Sequence, residues 1–324
     1  MNARISGTGS YVPDRVLTNV QLEQMVSTSD QWIRERTGIR ERHIAAGDEA
    51  CSDLGVHAAR RALKAAGLAP SDLDFILVAT CTGDSPLPST ACLIQDRLGA
   101  HRAAACDVSA ACCGFVYALG VANAYVRTGC RHVLVIGSEV MSSITDWTDR
   151  NTCVLFGDGA GAAVVSATEE GRGILSTQLC SDGTMWDYIH VPGGGSRLPA
   201  SAQMLQDRTQ YIKMRGNETF KVAVRTLEES ARDALAANGL SVGDVDLYVP
   251  HQANVRIIKA VAERMGLPLE KVYLNMDRYG NTSAASIPIA LDEAVREGRI
   301  RDGSLVLFGA FGAGLTWASA LIRW

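Results

Sequence analysis

Short unbroken apolar runs punctuate the chain: "FILVA" at 75–79, "HVLVIG" at 132–137, "DLYVP" at 246–250 and "SLVLFG" at 304–309. Between them lie longer alanine-rich stretches that halt at a glycine, as at Gly67 and Gly239. The runs predict strands buried on both faces, and the alanine-rich stretches predict helices with glycine at their C-terminal ends. Strands alternating with helices predict an α/β architecture.

The alternation repeats itself. Residues 62–78, "ALKAAGLAPSDLDFILV", match residues 234–250, "ALAANGLSVGDVDLYVP", at an offset of 172, with seven of seventeen positions identical. The same offset lays "HVLVIG" on "SLVLFG", so register holds from the helix through a second strand. A common offset across unrelated strands indicates duplication, two halves related by a pseudo-twofold axis with a site near it. The expected division is 1–172 and 173–324, with an extra stretch at about 138–159 in the first half. A second excursion, "DGTMWDYIHVPGGGSRLPASAQ" at 182–203, is rich in glycine and proline and predicts a long loop.

Composition narrows the class without naming a chemistry. The 324 residues are 47% hydrophobic and 20% charged, with a net charge of −4, which exerts no general pull on nucleic acid or membrane. No stretch approaches the roughly 18 to 20 apolar residues of a membrane span, and no leader pattern opens the chain, so the expected location is the cytoplasm. Nine cysteines without a C-x-x-C pair suit a reducing compartment and argue against a metal site.

Two of those cysteines are adjacent. In "DVSAACCGFV" at 107–116, Cys112 and Cys113 sit where the short strand candidate "AAACDV" passes into a helix. A thiol there faces free backbone N–H groups and the positive end of a helix, which predicts a depressed pKa. Adjacent helical residues point about 100° apart, so one pocket is served by one sulfur, and spacing alone leaves open which. Adding 172 carries Ser109 to Asn281 and Cys112 to Ala284, in "NTSAASIPIALDEAV". Asn281 is then either an N-cap or a donor to a substrate carbonyl. His251 follows the strand candidate "VDLYV", at the carboxyl end where α/β sheets bind ligands. His43, His57, His101, His132 and His190 have no such placement. The glycine-rich "LFGAFGAGLTWASALIRW" and "FGDGAGAAVV" lack G-x-G-x-x-G spacing before a helix, and suit backbone that closes on a substrate oxyanion better than a nucleotide loop.

These residues resemble the β-ketoacyl-[acyl carrier protein] synthases III of the thiolase-like superfamily. The resemblance spans the chain through A-A-C-x-G-F at 110–115, H-Q-A-N at 251–254, Y-G-N-T-S at 279–283, the glycine-rich C-terminal strand and "DQWIRERTGIRERHI" at 30–44. It implies a duplicated βαβαβαββ fold layered α-β-α-β-α. It also implies a catalytic triad of Cys112, His251 and Asn281, with Cys113 as a packing residue. Backbone N–H groups of Cys112 and Ala313 would form an oxyanion hole; many members have glycine at the latter position. The implied activity begins with acylation of Cys112 by an acyl-CoA. Decarboxylative condensation with malonyl-[acyl carrier protein] follows, starting fatty-acid synthesis.

Acyl-CoA is then a substrate, and neither cofactor nor metal is expected. The implied coenzyme A contacts are Trp32 and Arg150 around the adenine, with Arg36, Thr37, Gly216, Phe220, Ala253 and Asn254 near it or along the pantetheine tunnel. Arg256, Lys259 and Arg264 would face an acidic carrier protein. Leu87 would floor the acyl pocket of the second subunit of a homodimer, leaving room for primers longer or more branched than acetyl. The alternative is a relative of specialised metabolism with another acyl acceptor. A cysteine hydrolase or a non-catalytic coenzyme A binder fits the residues less well.

Overall fold

In the computed structural model, which describes residues 2–324, the apolar runs form two sheets of closely similar plan. The first has the order Asn2–Tyr11, Asp158–Thr168, His132–Val140, Phe75–Ala79, Ala104–Val108. The second runs Gly173–Ser181, Thr316–Arg323, Leu305–Gly312, Leu247–Pro250. Phe75–Ala79 lies parallel to His132–Val140, and Leu247–Pro250 parallel to Leu305–Gly312, while the next strand outward is antiparallel in each sheet. The second sheet keeps only a single parallel bridge, Tyr248 to Val272, where the first has Ala104–Val108.

Two helices, Gly114–Arg127 and Ser286–Arg296, fill the space between the sheets. Phe115, Leu119, Ile287 and Leu291 from these helices join Val135 and Val165 of one sheet and Val306 and Phe308 of the other in one core. Full burial of each such side chain contributes roughly 1.5–3 kcal/mol. Cys51–Ala66 and Thr90–Leu98 cover the outer face of the first sheet, and Gly216–Ala236 that of the second, with Val255–Met265 packed beside it in the same apolar cluster. The result is the five-layer α-β-α-β-α arrangement expected. Helix Cys51–Ala66 ends in a left-handed Gly67; its counterpart ends at Ala236, three residues before the left-handed Gly239.

Two expectations need correction. Residues 182–203 are not a bare loop: a 3₁₀ segment covers Gly183–Tyr188, Ile189–His190 pairs with Lys213–Met214, and a short helix begins at Ala202. Long-range pairing supplied partners that a local glycine and proline count does not reveal. The cysteine pair, moreover, is not inside an α-helix. It occupies a 3₁₀ turn, Ala111–Cys113, and the helix proper begins at Gly114. Among the described residues, no helix is long and apolar enough to cross a membrane.

Candidate active site

The repeat meets itself at two elbows. Ala111 and Ser283, related by the offset of 172, both have left-handed backbones, φ 46° and 48°. Each opens a 3₁₀ turn, Ala111–Cys113 or Ser283–Ala285, that leads into one of the two central helices. Left-handed non-glycine residues cost on the order of 1–3 kcal/mol each, and strain of this kind clusters at functional sites. Close backbone approach holds the elbows in place. A Cβ on Gly312 would stand 2.9 Å from the Cys112 nitrogen, and one on Gly137 would collide with the Ala284 carbonyl.

A cavity of about 990 Å³ lies over these elbows, lined by Cys112, His251, Asn281 and Ala313 among others. Cys113 is absent from that lining: it is fully buried and its Sγ donates to the Thr316 carbonyl at 3.3 Å. The 3₁₀ turn therefore sends one sulfur to the cavity and the other into the core. No carbonyl of the described residues accepts the Cys112 or Ala313 backbone N–H, so both are free to donate. Ala313 has no positive φ, so alanine is tolerated where a glycine was expected.

The electrostatics differ from expectation. Burial pushes the Cys112 thiol up to about 12, whereas a helix mouth alone would lower it. The Ser283 hydroxyl stands beside Cys112, Cys81 and Glu139 without hydrogen-bond geometry to any. Burial also draws His251 down to about 4, so its imidazole is neutral at pH 7. The ring is pinned by Nδ1 against Ser286 Oγ at 2.6 Å, and the His251 backbone N–H donates to the Gly309 carbonyl at 2.8 Å. Asn281 Oδ1 accepts from the Ser283 backbone N–H at 2.9 Å, which leaves its Nδ2 to the cavity. Asn281 thus steadies its own turn through Oδ1 and keeps Nδ2 free to donate.

Trp32, Arg36, Thr37, Gly216, Phe220, Ala253, Asn254 and Arg256 all line the cavity. Arg150 does not: its guanidinium lies 4.1 Å from the centre of the Trp32 ring. An aromatic ring between them needs two stacking separations of about 3.5–4 Å, so a purine enters only after Arg150 moves. The Thr37 hydroxyl is occupied, donating to the Ile33 carbonyl and accepting from Ile39 N–H. Asn254 caps helix Val255–Met265 through Oδ1. Lys259 is exposed outside the cavity lining, and Arg264 is held by Glu228 at 2.7 Å, a carboxylate it shares with Arg232. Leu87 is 86% exposed and touches no part of its own chain's cavity.

Sequence reasoning missed a second layer. Glu139 is fully buried and accepts from the Thr80 hydroxyl, the Thr82 hydroxyl, the Cys81 and Thr82 backbone N–H groups and the Cys81 thiol. That network fixes the strand end beside Cys112, and Cys81 itself lines the cavity. Ser283 had a signal, since the offset lays it on Ala111; Ser286, Glu139 and Cys81 had none.

Comparison with known proteins shows which family the chain belongs to. Residues 106–183 match the profile of 3-oxoacyl-[acyl-carrier-protein] synthase III, and residues 235–324 match its C-terminal profile. Two relatives bear the name β-ketoacyl-[acyl-carrier-protein] synthase III. The protein of Alkalilimnicola ehrlichii is 57% identical over 325 residues, covering 99% of each chain. That of Caldanaerobacter subterraneus subsp. tengcongensis is 54% identical over 323 residues, covering 99% of this chain and 98% of the relative. The chain belongs to the β-ketoacyl-[acyl-carrier-protein] synthase III family. The solved 3-oxoacyl-[acyl-carrier-protein] synthase III of Aquifex aeolicus superposes with a TM-score of 0.93 at 48% identity, covering 99% of this chain and all of the other. The fold is therefore thiolase-like, and the activity class is that of an acyl-transferring condensing enzyme.

Proposed function

We propose that the enzyme starts acyl chains by joining an acyl-CoA primer to malonyl carried on acyl carrier protein. The observation that carries the reading is the convergence of a cavity-facing thiol, a neutral imidazole and a free amide donor on one cavity. The Cys112 sulfur attacks the primer thioester, the carbon–sulfur bond to coenzyme A breaks, and the Cys112 proton leaves with the departing thiol. Malonyl thioester then binds with its carbonyl oxygen toward His251 and Asn281 Nδ2. The bond to its carboxylate breaks, carbon dioxide leaves, and the electron pair forms an enolate held by those donors. Its α-carbon attacks the acyl-cysteine, whose oxyanion meets the Cys112 and Ala313 N–H groups, and the Cys112 sulfur departs and regains a proton. The products are 3-oxoacyl-[acyl carrier protein], coenzyme A and carbon dioxide.

Acyl-CoA is a substrate in this scheme, with no resident cofactor. Trp32 and Arg150 would receive the adenine, while Arg256 at the cavity wall and exposed Lys259 suit an acidic carrier. Arg264, already bound to Glu228, has less charge to offer. A homodimer is supported by Ala104–Val108, a strand paired on one side only and exposed at Ala104 and Cys106, with the exposed Leu87 loop on the same chain. The proposed compartment is the cytoplasm.

Intact mass after acyl-CoA treatment tests the first half, expecting one acyl group on Cys112. Carbon dioxide release and 3-oxoacyl product with malonyl-[acyl carrier protein] test the second. Acylation followed by transfer to a different acceptor, with no carbon dioxide, would refute the condensation reading.

A further inference from the structure

We propose that Ser286 is the positioning residue that holds His251 with its ring proton on Nε2, facing the substrate. The consequence for rate rests on the condensation reading above; the geometry does not. Ser286 is the first residue of helix Ser286–Arg296 and is buried. Its Oγ meets His251 Nδ1 at 2.6 Å and the Gln252 backbone N–H at 3.4 Å. An amide only donates, so Gln252 takes a lone pair of Oγ and the hydroxyl proton still needs an acceptor. Among the described residues Nδ1 is the one acceptor that Oγ meets.

With the proton on Nδ1 instead, ring and amide would both donate to Oγ, and the hydroxyl proton would be stranded in a buried site. A stranded donor of that kind is worth about tenfold or more in the tautomer ratio. Gln252 cannot turn aside to relieve it. Its side chain donates to the Pro250 and Tyr273 carbonyls at 2.8 and 3.1 Å and accepts from Asn275 N–H at 3.1 Å. The His251 backbone is tied to Gly309, so the ring presents one nitrogen to Ser286 and leaves the other for the cavity.

With Nε2 protonated, resting His251 is a donor and not a base toward Cys112. It acts together with Asn281 Nδ2 on the malonyl thioester oxygen. Ser286 therefore governs the decarboxylating half of the cycle and is dispensable for acylation. A hydroxyl whose only duty was to pack the helix would slow both halves alike.

The test is ¹⁵N-histidine NMR of the full chain, with His251 assigned by the signals lost in His251→Asn. The expected spectrum shows a bare Nδ1 and a protonated Nε2. Ser286→Ala should mix the two tautomers and slow malonyl-[acyl carrier protein] decarboxylation by about tenfold or more, with acylation changed by no more than about twofold. Ser286→Thr, which restores the hydroxyl, should return both the spectrum and the rate. Should Ser286→Ala fail to fold, the wild-type spectrum alone decides. A wild-type enzyme that decarboxylates with its proton on Nδ1 overturns the inference and spares the functional reading. A proton on Nε2 without any decarboxylation does the reverse, sinking the functional reading and leaving the tautomer assignment in place.

Discussion

Asn281 offers the sharpest test of the site, because its two ends do different work. Oδ1 accepts from Ser283 N–H at 2.9 Å, and Nδ2 is left to the cavity. Asn281→Ala removes both functions. Loss of one oxyanion donor should slow decarboxylation by about 10²–10³-fold, or about 2.7–4 kcal/mol of barrier. The Ser283 N–H, buried and held in a left-handed turn, is left without an acceptor, lowering stability by about 1–3 kcal/mol. Asn281→Asp separates the two effects. A carboxylate still accepts from Ser283 N–H, so stability should stay closer to wild type. It also sets a negative charge against the developing enolate, and like charges about 4 Å apart repel by about 4 kcal/mol at an effective dielectric of 20. The aspartate variant should therefore be the more stable of the two and the less active. The assays are carbon dioxide release from malonyl-[acyl carrier protein], acylation of Cys112 followed by intact mass, and denaturant unfolding. Acylation should persist in both variants. An aspartate variant that decarboxylates within tenfold of wild type, or an alanine variant as stable as wild type, would refute this division of labour.

Further outcomes concern the thiol, the imidazole and the adenine site. Burial raises Cys112 to about 12, so iodoacetamide labelling of the free enzyme should climb about tenfold per pH unit from 7 to 10; a plateau near pH 7 would show that the helix mouth prevails over burial. His251, drawn down to about 4, is neutral when folded, so its contribution to stability is complete above about pH 6.5 and is lost as pH falls toward 4. Over that window wild type should lose up to about 3 kcal/mol that His251→Asn does not, as read from urea unfolding at each pH. Arg150→Ala removes the cation stacked on Trp32 and should raise KM for acyl-CoA by about 5- to 30-fold with kcat little changed, measured from initial rates. A primer series tests Leu87: activity on butyryl- and isobutyryl-CoA is expected, and a strict preference for acetyl would show that this loop leaves no added room.

The duplication was legible because it is written in the chain twice. A constant offset places Phe75 beside Leu247 in plan and Ala111 beside Ser283 in conformation, and helix, loop and strand follow from local apolar patterning. Cys112, His251 and Asn281 stood out through their neighbours in sequence, and all three reach one cavity. What patterning could not supply was environment. A helix mouth predicts an acidic thiol, but the second half of the chain closes over Cys112, and the loss of water outweighs the helix end.

By itself, the order of residues determined the alternation of strands and helices, the two related halves and the chemical types at the site, since those depend on spacing and side-chain identity; the layering was implied by the family resemblance. The family pattern selected Cys112, and the tertiary structure supplied the reason that this sulfur and not its neighbour faces the cavity: a 3₁₀ turn with a left-handed Ala111 rotates neighbouring side chains away from helical positions. It also decided the company those groups keep. Ser286 meets His251 and Glu139 gathers the loop beside Cys112 across 35 and 58 positions of chain, contacts set within each half by the packing of a helix start on a strand end and by strand pairing. No local signal encodes such distances, because each partner is ordinary in its own segment and becomes consequential only when the other arrives.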